Sequence, residues 1–193
     1  MHELRQDPDL DFIWRWFEFQ KELSSEKRAS VLRSSFVGTN SVQRSQAQQS
    51  RFVGLTPEEV RKFFDEQTDQ LESITMLELL STTEAILRMD FKARVATRTK
   101  DELSRRCRDI QKDRDDKVRL DEDILEAMKE EGIPVAEFRG TLRLRHWLAH
   151  GRHWQPKLGR VYTPEVVFRV MPLALGIFAK SQVMTFTGRD CLR

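Results

Sequence analysis

The segment Arg145-His146-Trp147-Leu148-Ala149-His150-Gly151-Arg152-His153-Trp154 concentrates the residues best able to do chemistry. It holds three of the four histidines and two of the four tryptophans in the chain. It lies in a window, Phe138 to Pro164, that has no Asp or Glu but carries Arg139, Arg143, Arg145, Arg152, Lys157 and Arg160. Histidine exchanges protons near neutral pH. Arginine presents a planar fork of donors that fits phosphate oxygens. Both types together, without competing carboxylates, point to chemistry on a phosphodiester.

The same segment resembles the R-x4-6-H signature of the HEPN superfamily, the higher-eukaryote and prokaryote nucleotide-binding helical domains. Here the signature reads Arg145-x4-His150, with a polar His146 after the arginine and the run Leu148-Ala149-His150-Gly151 at its end. The close likeness covers about ten residues, and a looser one extends over the helical pattern on either side. The resemblance implies an all-α, HEPN-like bundle and a homodimer with a composite cleft at its interface. It also implies metal-independent endoribonuclease activity that leaves a 2′,3′-cyclic phosphate, as in toxins and anti-phage effectors. In one toxin branch a tyrosine stands two positions after the histidine and is modified by a cognate nucleotidyltransferase antitoxin. Here that position is Arg152, which puts that mode of regulation in doubt. One chain does not reveal whether an antitoxin or other regulatory partner exists.

Helix geometry agrees with a shared cleft. At about 100° per residue, Arg145 and His150 lie roughly 140° apart, whereas His146 and His150 share a face. One helix alone closes no site. Two copies about a two-fold axis, the commonest symmetry, bring both sets into one groove. In the expected reaction His150 is the general base for the ribose 2′-hydroxyl. Arg145 stabilises charge on the phosphate oxygens. His146 orients His150 or the phosphate, and the partner copy's histidine protonates the leaving oxygen. Arg143, Arg152, His153, Lys157 and Arg160 would hold flanking phosphates, and Trp154 would stack a base of single-stranded RNA.

Three other readings stay open. The Arg and His side chains would do no more than cap carbonyls and bridge helices. His146-x3-His150 would hold a metal, although no Glu follows His146 as in H-E-x-x-H and no acidic residue nearby completes a shell. Or the chain is a non-catalytic HEPN module that binds RNA, a nucleotide or a protein partner. No Gly-rich phosphate loop, catalytic triad or cofactor motif appears, and no cofactor is expected.

The chain has 193 residues, one third of them charged, and a net charge of +2. That length supports one domain with a core. Charge is segregated rather than uniform: Lys27 to Pro57 has five basic residues and no acid, and Glu58 to Glu72 has six acids. Cys107 and Cys191 define neither a disulfide framework nor a metal pair, so a cytoplasmic protein with reduced thiols is expected. The longest apolar run, Val170 to Ala179, is too short for a membrane span.

The elements around the signature read as five or six helices in one domain over 1–193, with no membrane association. The first starts near Asp7-Pro8-Asp9 and buries Phe12, Trp16, Phe19 and Leu23, with Ile13 and Phe17 widening that face. These aromatics are core or dimer contacts in preference to base-stacking surfaces. Residues 34–55 form a long flexible loop. Thr56-Pro57-Glu58-Glu59 starts the next helix by a capping box. It runs toward Phe91 with a kink or break near Ser73 to Thr75. Its stripe Leu77, Leu80, Glu84, Leu87 and Phe91 contains one carboxylate. Glu84 therefore either forms a buried ion pair with an arginine from the Arg143–Arg145 region or reaches water at the stripe's edge. Lys100 to Lys112 and Leu120 to Glu131 follow, joined by helix or turn around Asp115-Asp116, and Gly132 with Pro134 ends the second. The signature helix spans about 135–150, with Phe138, Leu142 and Ala149 near one side and Leu144 and Leu148 on another. Thr163-Pro164-Glu165 starts the last helix, with the face Val166, Val167, Val170, Leu173, Ala174, Ile177 and Phe178. A short extended piece is expected near Met184 to Thr187.

Overall fold

The computed structural model describes residues 9–36, 52, 54–97, 99–150 and 161–175, with the side chains of 34–36 and 172–175 excepted. The described residues form six α-helices and no strand: α1 (Leu10–Phe36), α2 (Pro57–Ala96), α3 (Glu102–Arg114), α4 (Leu125–Glu130), α5 (Ala136–Ala149) and α6 (Pro164–Leu175). No helix among them is long and apolar enough to cross a membrane. Most of the expected loop at 34–55, the extended piece near Met184 to Thr187, and Ile177 and Phe178 lie outside the described residues.

The chain divides into two compact units, the first of Asp11–Thr75 and the second of Met1–Leu10 with Met76–Arg193. In the first, α1 meets the opening turns of α2. Val31, Val60 and Phe64 are buried together, with Leu32, Phe52 and Phe63 packed against them. Phe52 stacks on Phe64 at 5.6 Å between ring centres and meets the edge of Phe63 at 5.3 Å. Arg28 of α1 donates to Asp65 of α2 at 2.7 Å. The expected face of α1 is rotated by one position. Ile13 and Phe17 are buried, whereas Phe12, Phe19 and Leu23 are 51, 55 and 43% exposed. The inner row is Ile13, Phe17 and, about four turns on, Val31, which meets the α2 phenylalanines. An adjacent stripe on the same helix is equally apolar, so spacing alone does not choose between them.

The start of α2 follows its sequence closely. The Thr56 backbone N–H donates to the Glu59 carboxylate at 2.7 Å, and the Glu59 N–H donates to the Thr56 hydroxyl at 3.3 Å. These two bonds occupy donors that a helix start otherwise leaves open. Beyond it α2 is one uninterrupted helix of 40 residues, without the expected break near Ser73. No Gly or Pro interrupts Glu58 to Ala96. Thr68 and Ser73 donate back to carbonyls one turn earlier, at 2.9 and 2.8 Å, so their hydroxyls do not compete with the helix.

In the second unit the core lies between α2 and the later helices. Leu79, Leu80, Ile86, Leu87 and Phe91 are buried, as are Leu125, Phe138, Val167 and Met171. The buried Thr83 hydroxyl donates to the Leu79 carbonyl at 2.9 Å and lies against the Met171 sulfur of α6. A β-carbon on Gly140 of α5 would meet the Tyr162 hydroxyl at 3.1 Å. Glycine, unfavourable inside a helix, is explained here by that close approach.

Where α2 ends, a buried polar cluster sets the turn into α3. Arg94 is 3% exposed and donates to Asp90 at 2.6 Å, to Asp101 at 3.1 Å and to the Ser104 hydroxyl at 3.2 Å. Asp101 caps α3 by accepting from the Ser104 N–H at 3.0 Å. Arg108 donates to the carbonyls of Thr97 and Thr99, at 3.1 and 3.0 Å, in the segment that links α2 to α3. Cys107 is buried on α3, and burial pushes its thiol up to about 11.

The join after α3 is a single 3₁₀ turn, Asp115–Lys117, entered through Asp115 at φ 51°. The expected helix from Leu120 divides into a π turn, Leu120–Ile124, and the short α4. Asp123 is buried there and accepts from the Arg119 N–H at 2.7 Å, and its other oxygen lies 3.4 Å from Arg114. Gly132, at φ 78°, ends this stretch in the left-handed conformation that only glycine adopts freely. Thr163 then starts α6, accepting from the Val166 N–H at 3.4 Å.

Arg94→Met leaves Asp90 buried without its partner and is expected to cost about 3–5 kcal/mol. Burial pushes the Asp90 carboxyl above its ordinary range while Arg94 pulls it down. Without Arg94 the carboxyl rises further, and protonation then favours the folded state. The stability deficit of Arg94→Met is therefore full at neutral pH and shrinks on acidification into the carboxylate range. Urea melts of both proteins across that range measure it.

Candidate functional site

Helix α5 positions the signature. Phe138, Thr141, Leu144 and Leu148 are buried along it. Of the two sides expected, Leu144 and Leu148 are buried together with Phe138 and Thr141, whereas Leu142 is half-buried and Ala149 is exposed. The Thr141 hydroxyl satisfies itself on the Phe138 carbonyl at 2.7 Å, which makes a polar residue tolerable there. Position 145 falls four residues after Thr141 and three before Leu148, on this inner side. The Arg145 guanidinium therefore enters partly buried ground, and its Nε is buried without a hydrogen bond among the described residues.

A charge in that position needs a counter-charge. Glu84 of α2 supplies it. One Glu84 oxygen lies 3.1 Å from the Arg145 Nη2, and the other accepts from the Arg88 Nε at 2.9 Å. The Glu84 side chain is 17% exposed, against 36% for Arg145 and 43% for Arg88. One carboxylate thus bridges two arginines from different helices and leaves one net positive charge at the bridge.

Arg143, His146 and His150 occupy the other side of α5, three and then four residues apart, and all three are exposed. The His146 and His150 rings are 4.2 Å apart between centres and tilted by 55°. The His150 backbone N–H donates to the His146 carbonyl at 3.1 Å and closes the helix there. The structure therefore groups Arg143 with the two histidines on one row and sets Arg145 on the flank, against α2. Among the described residues no group of three or more His, Cys, Asp or Glu side chains forms a set able to hold a metal. Arg152, His153, Trp154, Lys157 and Arg160 lie outside the described residues.

Not every arginine of the acid-free window faces outward. Arg139 lies 2.6 Å from Asp121 and 2.9 Å from Glu126, and these pairs tie α5 to the π turn and α4. The absence of acids nearby in sequence hid this. Sequence reasoning also passed over Arg88, although its i,i+4 spacing from Glu84 was visible.

No family model matches the chain, and no curated protein or solved structure is significantly similar to it.

The bridge makes Glu84 and Arg145 energetically dependent. In a double-mutant cycle of Glu84→Ala and Arg145→Ala, urea melts are expected to give a coupling of about 1 kcal/mol, the upper range for a partly exposed pair. A coupling indistinguishable from zero contradicts the bridge.

Proposed function

We propose that this protein is a metal-independent endoribonuclease of the HEPN kind, acting as a homodimer on single-stranded RNA. The observation that carries this reading is the exposed pair His146 and His150, 4.2 Å apart, on the same helix as Arg145, which Glu84 anchors. Two imidazoles in reach of each other supply a base and an orienting or acidic partner near neutral pH. An anchored guanidinium supplies fixed positive charge for the phosphate, with no reorganisation needed as the reaction proceeds.

In this mechanism His150 takes the proton of the ribose 2′-hydroxyl as that oxygen attacks the adjacent phosphorus. The bond to the 5′-oxygen breaks, and a histidine of the partner copy returns a proton to that oxygen. His146 holds the His150 ring in place, and Arg143, on the same row, binds a neighbouring phosphate. Arg145 faces the flank of α5 rather than the histidine row, so its guanidinium reaches the reacting phosphate most directly in a groove formed by two copies of α5. A toxin or anti-phage role, with an antitoxin or other regulatory partner, belongs to the same proposal.

The test is cleavage of single-stranded RNA in EDTA by wild type, Arg145→Ala and His150→Ala. Wild type is expected to cleave. Each variant should lose at least a hundredfold in rate, the usual scale for a general base or a charge-stabilising group, while His150→Ala keeps its affinity for RNA. A wild-type protein that binds RNA and cleaves none would instead be the non-catalytic binding module.

A further inference from the structure

We propose that Arg88 and Lys92 of α2 continue the phosphate-binding track that begins at Arg145, so that RNA backbone runs along one row of α2. The inference rests on the ribonuclease reading and extends it to residues outside the signature helix. Glu84, Arg88 and Lys92 are four residues apart in succession, which places them on one row of the helix with about 6 Å between steps. That step is comparable to the separation of successive phosphates in an extended strand. The row starts at the carboxylate that holds Arg145 and leads away from it to the half-buried Arg88 and the exposed Lys92.

The charges along the row favour an anion. Glu84 is shared by two guanidiniums, so it neutralises neither alone. Arg88 donates to it through Nε and makes no hydrogen bond to the described residues through its two terminal nitrogens. An arginine held in this way keeps four N–H donors for a phosphate, already oriented by the carboxylate behind them. Lys92 is exposed and forms no ion pair with the described residues. The other nearby carboxylate of α2, Asp90, is buried and held by Arg94. The track therefore presents Arg145, Arg88 and Lys92 against a single shared acid.

The experiment measures binding of a short single-stranded 2′-O-methyl RNA, which lacks the attacking hydroxyl, by fluorescence anisotropy over a series of salt concentrations. Each phosphate contact on a single strand contributes about 0.7 to the slope of log affinity against log salt. The Arg88→Ala/Lys92→Ala double variant is expected to lose about 1.4 from that slope, and the KM for cleavage should rise several-fold. Arg88→Lys keeps the charge and should keep the slope, which a purely structural role for the Glu84 contact would not predict. Helical content and melting temperature, followed in parallel, confirm that each variant is folded. A double variant with the wild-type slope, in a protein that cleaves RNA, overturns the track and leaves the ribonuclease reading in place. A wild type that neither binds the oligonucleotide nor cleaves RNA overturns both.

Discussion

The Glu84 carboxylate is the constraint on which the proposed site depends. It accepts from Arg88 along its own helix and pairs with Arg145 across to α5. Without it, two guanidiniums would face each other on partly buried ground, where a like-charge pair is unfavourable. With it, the pair becomes a fixed cationic element joining the two helices. The same bridge decides which way α5 faces. With Arg145 turned toward α2, the row of Arg143, His146 and His150 is turned outward.

Around that bridge the second unit has few ambiguous joints. Arg94 and Arg108 close the end of α2 and the start of α3. Arg139 ties α5 to the π turn and α4. Gly140 lets Tyr162 approach α5 closely. Each contact uses a polar side chain to fix the direction of a helix whose apolar face alone would tolerate small rotations. Precise direction matters for charge-stabilising catalysis, because an arginine an ångström out of place loses much of its effect.

Much of the local structure was legible in the sequence because it depends on neighbours a few residues apart. The Thr56–Glu59 capping box, the Gly132 stop and the Thr163 start of α6 are of this kind. So was the demand of Glu84 for an arginine, since a carboxylate in an apolar row carries its own cost. The faces of α1 and α5 were less legible. On α1, the Phe12–Phe19–Leu23 stripe and the Ile13–Phe17 stripe are equally apolar, and only packing partners choose between them. On α5, two apolar sides were in view, and the buried one joins Phe138 to Leu144 and Leu148 with a threonine satisfied by its own helix, while Leu142 is half-buried and Ala149 exposed. The acid-free window likewise gave no sign that Arg139 would find Asp121 and Glu126, which lie at least thirteen residues away in sequence.

The arrangement on α5 gives the chemical proposal a definite form. In the proposed reaction the histidines on the exposed row, 4.2 Å apart, would carry the proton transfer, and the arginine anchored by Glu84 on the flank would supply charge. Attack by the neighbouring 2′-hydroxyl produces one type of product end, whatever the sequence cleaved. The most direct measurement is mass spectrometry of the RNA fragments formed in EDTA by wild type and by His150→Ala. The account predicts 2′,3′-cyclic phosphate and 5′-hydroxyl ends from wild type and none from the variant. Fragments with 3′-hydroxyl and 5′-phosphate ends, or cyclic ends formed equally by His150→Ala, would contradict it.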